Sequence, residues 1–202
     1  MGTGHGPIGV ILAGGVGRRI GGSKAIVKLR GRPLIMYPLQ ALTLALGEVA
    51  VLAKPDTELP SLSGVTVWIE PATPQHPLVG ISHALALAGD RPVLVCAADL
   101  PLVSPALIER LAHADPAGAP AVLAARDGVM QPLLGCYYQS AAARLGTGAD
   151  VTSRRVREAV AAIGPRLLEV GDPDELFSVN SPYDLLQVTA ILDARVRRPT
   201  RT

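Results

Sequence analysis

The sequence has little excess charge of either sign, which limits the partners it predicts. Lysine and arginine number 19 and aspartate and glutamate 17 among 202 residues, for a formal net charge of +2. Nucleic-acid-binding domains usually concentrate basic residues on one face, and this mild balance does not indicate such a partner. We therefore expect no nucleic-acid partner.

Cysteine is scarce and long apolar runs are missing. Cys96 and Cys136 sit inside apolar segments without C-x-x-C spacing, so we expect buried free thiols in a reducing compartment. No apolar stretch approaches the roughly 18 to 20 residues that span a bilayer, and the opening MGTGHGP lacks the pattern of a secretory signal. These absences predict no membrane partner and a cytoplasmic location.

Apolar residues, by contrast, are plentiful. They make up 49% of the 202 residues, enough for the core of one domain covering 1–202. We expect flexible ends at 1–7 and 197–202. We expect a monomer or a weak homo-oligomer.

Short apolar runs alternate with segments of helical periodicity. Strands are predicted at 8–13, 48–53, 65–70, 92–98, 120–125 and 131–138, and helices at 33–46, 80–88, 104–114, 153–163 and 181–196. Nearly all-apolar strands that alternate with helices favour a mostly parallel sheet covered on both faces. The predicted fold class is therefore α/β.

Two prolines bear on where the predicted helices begin. Ser104 followed by Pro105 is typical of an N-cap with proline at the first helical position. Pro38 lies inside the first helical segment, and it predicts a helix that begins at or beyond it or is kinked there.

The stretch VILAGGVGRRIGGSK, residues 10–24, combines bare backbone with positive charge. Glycine occupies positions 14, 15, 17, 21 and 22, and Arg18, Arg19 and Lys24 supply cations. Glycine lets backbone N–H groups approach an anion closely. A nucleoside triphosphate carries roughly four negative charges and a helix terminus or backbone nest offers only about half a charge, so side-chain cations or a metal are also required.

Two familiar phosphate-binding motifs do not fit this loop. A Walker loop requires lysine directly after its last glycine, but Ser23 separates Gly22 from Lys24. The dinucleotide fingerprint fails because Ile20 takes its third glycine position. The alternative to an anion-binding loop is a mobile basic surface turn.

Asp99 directly follows the apolar strand predicted at 92–98. Ligands of open parallel sheets bind beyond the carboxyl ends of the strands. Since Ser104 caps the next helix, Asp99 is free for another role, and Mg²⁺ commonly takes one or two carboxylates together with substrate phosphates. The alternative is an aspartate that only closes a turn.

The segment LAGGVGRRIGGSK resembles the L-A-G-G-x-x-x-R-x-G-x-x-K signature of nucleotidyltransferases related to the molybdenum cofactor guanylyltransferases. Four later segments are similar to family motifs in the same order: HPLVGISHAL, CAADLP, QPLLGCYY and SVNSPYDL. The resemblance implies a three-layer α/β/α, Rossmann-like nucleotidyltransferase fold. It further implies an enzyme that uses GTP and Mg²⁺, transfers GMP to the terminal phosphate of molybdopterin and releases pyrophosphate.

The resemblance also assigns roles to individual residues. The implied catalytic residues are Arg19, Lys24 and Asp99, and the implied metal ligands are Asp99 and Asn180. The implied nucleotide-binding residues are Leu12, Ala13, Gly14, Gly15, Gly17, Arg19, Lys24, Glu70, Leu78 and Gly80. The implied acceptor-binding residues are Gln131, Pro132, Arg154, Arg155 and Asn180. Asn180 could alternatively shape the turn before the last helix, and the arginines could form a solvated helix face.

The chain departs from the family pattern at the predicted base site. Pro71 replaces the acid that commonly follows the third strand, and Lys54 stands where asparagine is frequent. The donors N1–H and N2–H of guanine suit a carboxylate, so Glu70, one residue earlier, is an alternative group for its recognition; cytosine or another base is the other option. A transferase using CTP, another NTP or a different phosphate acceptor, and a non-catalytic nucleotide-binding module, are thus the competing functions. An NAD-dependent oxidoreductase is disfavoured by the broken fingerprint.

Overall fold

A computed structural model of the chain describes residues 6–17, 22–145 and 153–197. Its main sheet has seven strands: β1 (Ile8–Leu12), β6 (Val49–Ala53), β7 (Thr66–Ile69), β8 (Val93–Ala97), β9 (Ala121–Arg126), β10 (Val129–Tyr137) and β11 (Arg166–Glu169). Two short ladders pair β2 (Val16–Gly17) with β3 (Gly22–Ser23) and β4 (Lys28–Leu29) with β5 (Arg32–Pro33). No helix among the described residues is long and apolar enough to cross a membrane.

Six α-helices are described, together with a short 3-10 helix at Pro173–Leu176. They are α1 (Met36–Ala45), α2 (Pro77–Ala88), α3 (Pro105–His113), α4 (Gln139–Leu145), α5 (Val156–Ala162) and α6 (Pro182–Arg197). The sequence-predicted helices match α1, α2, α3, α5 and α6.

The central strands β1, β6 and β8 are buried on both faces of the sheet, and successive residues of a strand point to opposite sides. On β8, Val93 and Val95 join one apolar cluster, whereas Leu94 and Cys96 join the other. The first of these clusters includes residues of α2, α4 and α5, and the second includes residues of α1 and α3. The three-layer α/β/α architecture implied by the resemblance is therefore confirmed.

Of the two helix starts predicted from prolines, that of α3 is confirmed and that of α1 is not. Ser104 caps α3 as predicted, since its Oγ accepts a hydrogen bond from Leu107 N at 3.1 Å. α1 begins at Met36, so the expectation of a start at or beyond Pro38 is wrong. Proline is tolerated in the first turn because the backbone N–H groups there have no intrahelical acceptor.

Two strands depart from the simple parallel pattern. β10 runs antiparallel to both β8 and β9. β11, which has mostly exposed residues and was not among the predicted strands, adds parallel to β9 at one edge of the sheet. The strand order is β11-β9-β10-β8-β1-β6-β7.

Gly135 on β10 lies close to the backbone of β9. A Cβ atom at this position would be 2.4 Å from Val122 O and 2.8 Å from Leu123 Cα. Because backbone atoms cannot move aside cheaply, we expect Gly135→Ala to lower the free energy of unfolding by about 2 to 3 kcal/mol. Urea denaturation measures this change. Gly47→Ala, where a Cβ would meet no atom within 4 Å, should change stability by less than about 0.5 kcal/mol; equal effects of the two variants would contradict the prediction.

The strand order places a binding crevice next to β1. β6 and β7 lie on one side of β1, and β8, the next strand of the sheet along the chain, lies on the other. The carboxyl ends are level, since Leu12 pairs with Leu52 of β6 and with Ala97 of β8. Ligands of open α/β sheets bind outside the strand ends where the order reverses in this way.

Candidate active site

A cleft of about 360 Å³ opens at this point of the sheet. It is formed by the segments that follow β1, β6, β7 and β8, by the start of α2 and by a residue of β10. Its lining residues are Leu12, Ala13, Gly14, Gly15, Lys24, Lys54, Glu70, Gln75, His76, Pro77, Gly80, Ala97, Ala98, Asp99 and Leu133. The glycine loop after β1 and Asp99 after β8 thus face the same cavity.

Three polar side chains meet on the Asp99 side of the cleft. Lys24 Nζ lies 2.6 Å from Asp99 Oδ2 and donates to Asn180 Oδ1 at 2.5 Å. The side chains of Lys24 and Asp99 are 20% and 15% exposed, so solvent still reaches them. The Lys24 ammonium is thus held between a carboxylate oxygen and an amide oxygen.

The start of α6 orients Asn180. The backbone N–H groups of Asn180 and Ser181 donate to Asp184 Oδ2 at 2.7 and 2.8 Å, and Asp184 N donates to Ser181 Oγ at 3.2 Å. These hydrogen bonds, led by the one from Asn180 N, lower the pKa of the Asp184 carboxyl. Because Ser181 and Asp184 cap the helix, the Asn180 side chain is available to Lys24.

The amide of Asn180 is held in one orientation. Its Nδ2 donates to Ser178 O at 3.2 Å and to Ser178 Oγ at 3.0 Å, which turns Oδ1 toward Lys24. Val179 N donates to Asp99 O at 2.9 Å and so ties this loop to the end of β8. A small apolar cluster that contains Leu29, Leu34 and Val188 packs α6 against the β4–β5 ladder. The loop is therefore fixed from two directions.

A buried ion pair lies elsewhere in the same cleft. Lys54 follows β6 and Glu70 follows β7, and the two residues meet because these strands are parallel neighbours. Lys54 Nζ is 3.6 Å from Glu70 Oε1, and the residues are 4% and 6% exposed. A Cβ on Gly14 would lie 2.6 Å from Glu70 Oε1, so glycine there allows the loop to approach the carboxylate.

The second carboxylate oxygen of Glu70 is left without a partner. Within the described part of the chain, Glu70 Oε2 is buried and accepts no hydrogen bond. Burial raises the pKa of Glu70 above its ordinary value, and the neighbouring Lys54 and, less strongly, His83 oppose the rise. Since a buried acceptor without a donor is unfavourable, this oxygen is suited to a ligand that supplies one.

Comparison with known proteins agrees with this geometry. The family profile described as MobA-like NTP transferase domain matches residues 9–166. This chain belongs to that family. A molybdenum cofactor guanylyltransferase from Cereibacter sphaeroides is 32% identical over 188 residues, which cover 91% of this chain and 96% of that protein. A probable molybdenum cofactor guanylyltransferase from Chloroflexus aggregans is 33% identical over 196 residues, or 91% and 94% of the two chains.

A solved structure agrees in fold. The chain is similar to the crystal structure titled molybdopterin-guanine dinucleotide biosynthesis protein A from Archaeoglobus fulgidus, with a TM-score of 0.74 and 24% identity. The match covers 93% of this chain and 99% of that one. The nucleotidyltransferase fold and the family resemblance expected from the motifs are thus confirmed.

Seven of the family-implied nucleotide residues line the cleft, and Leu78 does not. Leu78 is fully buried in the apolar cluster under α2, and its backbone N–H donates a hydrogen bond to His76 Nδ1 at 3.4 Å. Gly17 belongs to β2 and pairs with Gly22 of β3. Arg19 lies outside the described residues.

The family-implied acceptor residues are spread over a wider area. Gln131 and Pro132 precede Leu133, the residue of β10 that reaches the cleft. Arg154 and Arg155 are exposed just before α5 and are not among the cleft residues, and Arg155 Nη1 lies 3.8 Å from Glu158 Oε1. Of the proposed acceptor residues, Asn180 is the one that contacts Lys24.

Seven residues that line the cleft were not predicted as site residues: Lys54, Gln75, His76, Pro77, Ala97, Ala98 and Leu133. His76 caps α2 ahead of Pro77, and Gln75 precedes it. The pair His76–Pro77 repeats the polar-then-proline pattern of Ser104–Pro105, so the helix start was detectable. That the helix start borders the cleft depends on the sheet order, which the local pattern does not contain.

Proposed function

We propose that this chain is a Mg²⁺-dependent nucleotidyltransferase that moves GMP from GTP to the terminal phosphate of molybdopterin and releases pyrophosphate. One observation carries the proposal. One cleft contains the Lys24 ammonium, which is held by Asp99 and Asn180. The same cleft contains the buried carboxylate of Glu70, whose Oε2 accepts no hydrogen bond from the described residues. The first group suits a triphosphate and the second suits a base with adjacent hydrogen-bond donors.

In this proposal, Glu70 recognises guanine. An ionised carboxylate only accepts hydrogen bonds, and guanine presents N1–H and N2–H side by side. Adenine and cytosine instead present one donor beside one acceptor. The orphaned oxygen of Glu70 therefore favours GTP over CTP, even though Pro71 occupies the position where the family commonly has an acid.

The glycine loop and Lys24 bind the triphosphate. Gly14 and Gly15 line the cleft beside Lys24, and their backbone N–H groups can approach phosphate oxygens without hindrance from a side chain. Arg19, in the same basic segment of the sequence, supplies further positive charge. Leu12, Ala13 and Gly80 complete the walls around the nucleoside.

The residues present fit a magnesium ion. Asp99 and Asn180 offer hard oxygen ligands, and the Lys24 ammonium held between them marks a place that takes positive charge. Among the described residues no group of three or more His, Cys, Asp or Glu side chains forms a metal site, which agrees with the preference of Mg²⁺ for few protein ligands plus phosphates. Mg²⁺ bound here would neutralise phosphate charge on the nucleotide and on departing pyrophosphate.

The reaction joins two anions. An oxygen of the acceptor phosphate forms a bond to the α-phosphorus, and the bond from that phosphorus to the bridging oxygen of the β-phosphate breaks, so pyrophosphate carries away the electron pair. The chain's residues position the reactants and neutralise charge, and no covalent nucleophile is needed. Both cysteines are buried, and burial raises the pKa of Cys136 to about 11, which leaves that thiol unreactive.

The acceptor enters from the side of β10 and α6. Asn180 is already in place at the start of α6, and Gln131 and Pro132 lie directly before Leu133 of the cleft. Arg154 and Arg155 are exposed cations near α5 that would bind the acceptor's phosphate. We assign all five residues to the acceptor side of the proposed reaction.

A nucleotide panel tests the function. The enzyme, Mg²⁺ and molybdopterin are incubated with GTP, CTP, ATP or UTP, and pyrophosphate release is measured. We expect release with GTP and little with the other three. Equal release with CTP would indicate the related cytidylyl transfer. Nucleotide binding without pyrophosphate from any combination would indicate a non-catalytic module.

Replacement of Glu70 tests base recognition. The amide in Glu70→Gln offers one donor and one acceptor, so it mismatches guanine, and a lost hydrogen bond to a charged group costs about 1.5 to 3 kcal/mol. We expect KM for GTP to rise by roughly 10- to 100-fold. KM for ATP should stay the same or fall, because the amide matches the donor and acceptor of the adenine edge. Steady-state kinetics measure both. Glu109→Gln, on the exposed face of α3, is the matched control, and an unchanged GTP preference in Glu70→Gln would refute this role.

A further inference from the structure

The ammonium of Lys54 is almost completely enclosed and is bound to the wall of the cleft. Lys54 is 4% exposed, and its Nζ donates to Pro71 O at 2.7 Å and to Pro74 O at 3.4 Å while lying 3.6 Å from Glu70 Oε1. The segment from Pro71 to Pro74 leads to Gln75 and His76, which line the cleft. One lysine thus holds both the carboxylate and the segment beside it.

Burying an ammonium is costly unless it is paired and hydrogen-bonded. Among the described residues, Lys54 Nζ has three partners, and all lie within residues 70–74 rather than at Lys24 and Asp99. The pairing leaves Glu70 Oε1 facing Lys54, and Glu70 Oε2 accepts no hydrogen bond from the residues that the structure describes. A Cβ on Gly80 of α2 would be 3.3 Å from Oε2, which shows how closely this oxygen approaches the helix that lines the cleft.

The protonation state of Glu70 decides which base edge it matches. The ionised carboxylate presents two acceptors and matches the adjacent donors of guanine. The protonated acid presents one O–H donor and one acceptor, and it matches the N6–H and N1 edge of adenine or the N4–H and N3 edge of cytosine. A charge that holds Glu70 ionised therefore selects guanine.

We propose that Lys54 is a positioning residue for base selection: its buried ammonium keeps Glu70 ionised with Oε2 directed to the base, and so maintains the preference for GTP over ATP and CTP. This inference rests on the proposed function. Lys54 does not contact the base. It acts through Glu70 and through the Pro71–Pro74 segment.

Several charged or titratable groups surround Glu70. Lys54 comes from the end of β6, and His83 comes from α2 with its Nε2 at 3.1 Å from Ile69 O. His76 stands at the start of α2, and Lys24 and Asp99 lie elsewhere in the same cleft. Among the influences on the pKa of Glu70, Lys54 is the strongest that opposes burial, and His83 is weaker.

The sign of the pH effect follows from these influences. Burial raises the pKa of Glu70, and Lys54 lowers it, so removing the lysine charge raises the pKa further. GTP recognition requires the ionised form, so it is present above this pKa and is lost as the pH falls through it. A nearby opposite charge favours the ionised carboxylate. Lys54 variants should therefore lose GTP preference at a higher pH than wild type.

Calorimetric titration of nucleotide binding tests the inference without catalysis. Wild type, Lys54→Gln and Lys54→Met are titrated with GTP and with ATP in the presence of Mg²⁺, from about pH 5 to about pH 9. Lys54→Gln can still donate to the proline carbonyls, so it removes the charge while supporting the wall. Lys54→Met is the second neutral variant, and Lys54→Arg restores the charge. Melting temperatures establish which variants are folded.

We expect the ratio of ATP to GTP dissociation constants in Lys54→Gln to fall by about tenfold or more at the acidic end of the range and to recover at the alkaline end. Lys54→Arg should retain a profile near wild type. Glu70→Gln should show a low ratio at every pH. A Lys54→Gln variant with the wild-type profile, or with a uniform loss at all pH values, would overturn the inference because only a structural role of Lys54 would remain.

The test separates this inference from the proposed function. If wild type binds GTP no better than ATP at every pH, the proposed function fails. If wild type prefers GTP and the neutral Lys54 variants keep its pH profile, the inference on Lys54 fails alone. Should neither neutral variant fold, Lys54→Arg decides instead, since it keeps the charge beside Glu70, and a folded Lys54→Arg variant without the GTP preference would overturn the inference.

Discussion

We expect Asp99→Asn to lower kcat for pyrophosphate release by about 10² to 10³, the usual cost of losing one group that stabilises transition-state charge. The substitution keeps the shape of the side chain and removes the charge that Lys24 contacts at 2.6 Å. In the proposed reaction this carboxylate would hold Mg²⁺, which would offset the negative charge of the phosphates. The variant should therefore require a higher Mg²⁺ concentration for half-maximal rate.

Steady-state kinetics over a series of Mg²⁺ concentrations measure both effects. Asp90→Asn, in the exposed turn after α2, is the matched control and should behave as wild type. A kcat of Asp99→Asn within a factor of two of wild type would exclude the assigned role. The backbone oxygen of Asp99 accepts a hydrogen bond from Val179 N at 2.9 Å. Because the substitution leaves this backbone contact intact, the melting temperature should change little.

Lys24→Met is expected to change catalysis and metal binding in opposite directions. Loss of the ammonium removes a cation from the triphosphate, so kcat should fall by about 10² to 10³. Without nucleotide, however, the ammonium occupies the space between Asp99 Oδ2 and Asn180 Oδ1, at 2.6 and 2.5 Å, where the metal is proposed to bind. Removing this competing charge should tighten Mn²⁺ binding to the nucleotide-free enzyme by about tenfold.

Electron paramagnetic resonance of free Mn²⁺ gives the dissociation constant directly. The matched control is Lys28→Met, which removes an exposed lysine on β4 and should leave both Mn²⁺ affinity and kcat near wild type. Weaker Mn²⁺ binding in Lys24→Met would contradict the view that the lysine and the metal share the two oxygens. An unchanged kcat would contradict its role at the triphosphate.

The fold class followed from sequence because the relevant information is local. Buried parallel strands require nearly continuous apolar residues, and β1, β6 and β8 each match a predicted run within two residues at either end. The glycine loop and Asp99 were also identified in this way, since each directly follows such a strand. Parallel strand order then brings strand ends together at one edge, which is why these residues meet.

Other features depended on interactions between distant parts of the chain. The antiparallel direction of β10 and the edge strand β11 are set by pairing with β8 and β9. An apolar pattern contains no information on strand direction.

By itself the sequence determined the apolar strands, the capped helices and the residue types at the strand ends, because these depend on neighbours within a few positions. Only the tertiary structure decided which of those residues pair. Lys24 and Asn180 are 156 positions apart, and they meet because α6 packs on the β4–β5 ladder. Lys54 faces Glu70 because β6 and β7 are parallel and adjacent. Since both residues are buried there, the ammonium of Lys54 favours the ionised form of Glu70.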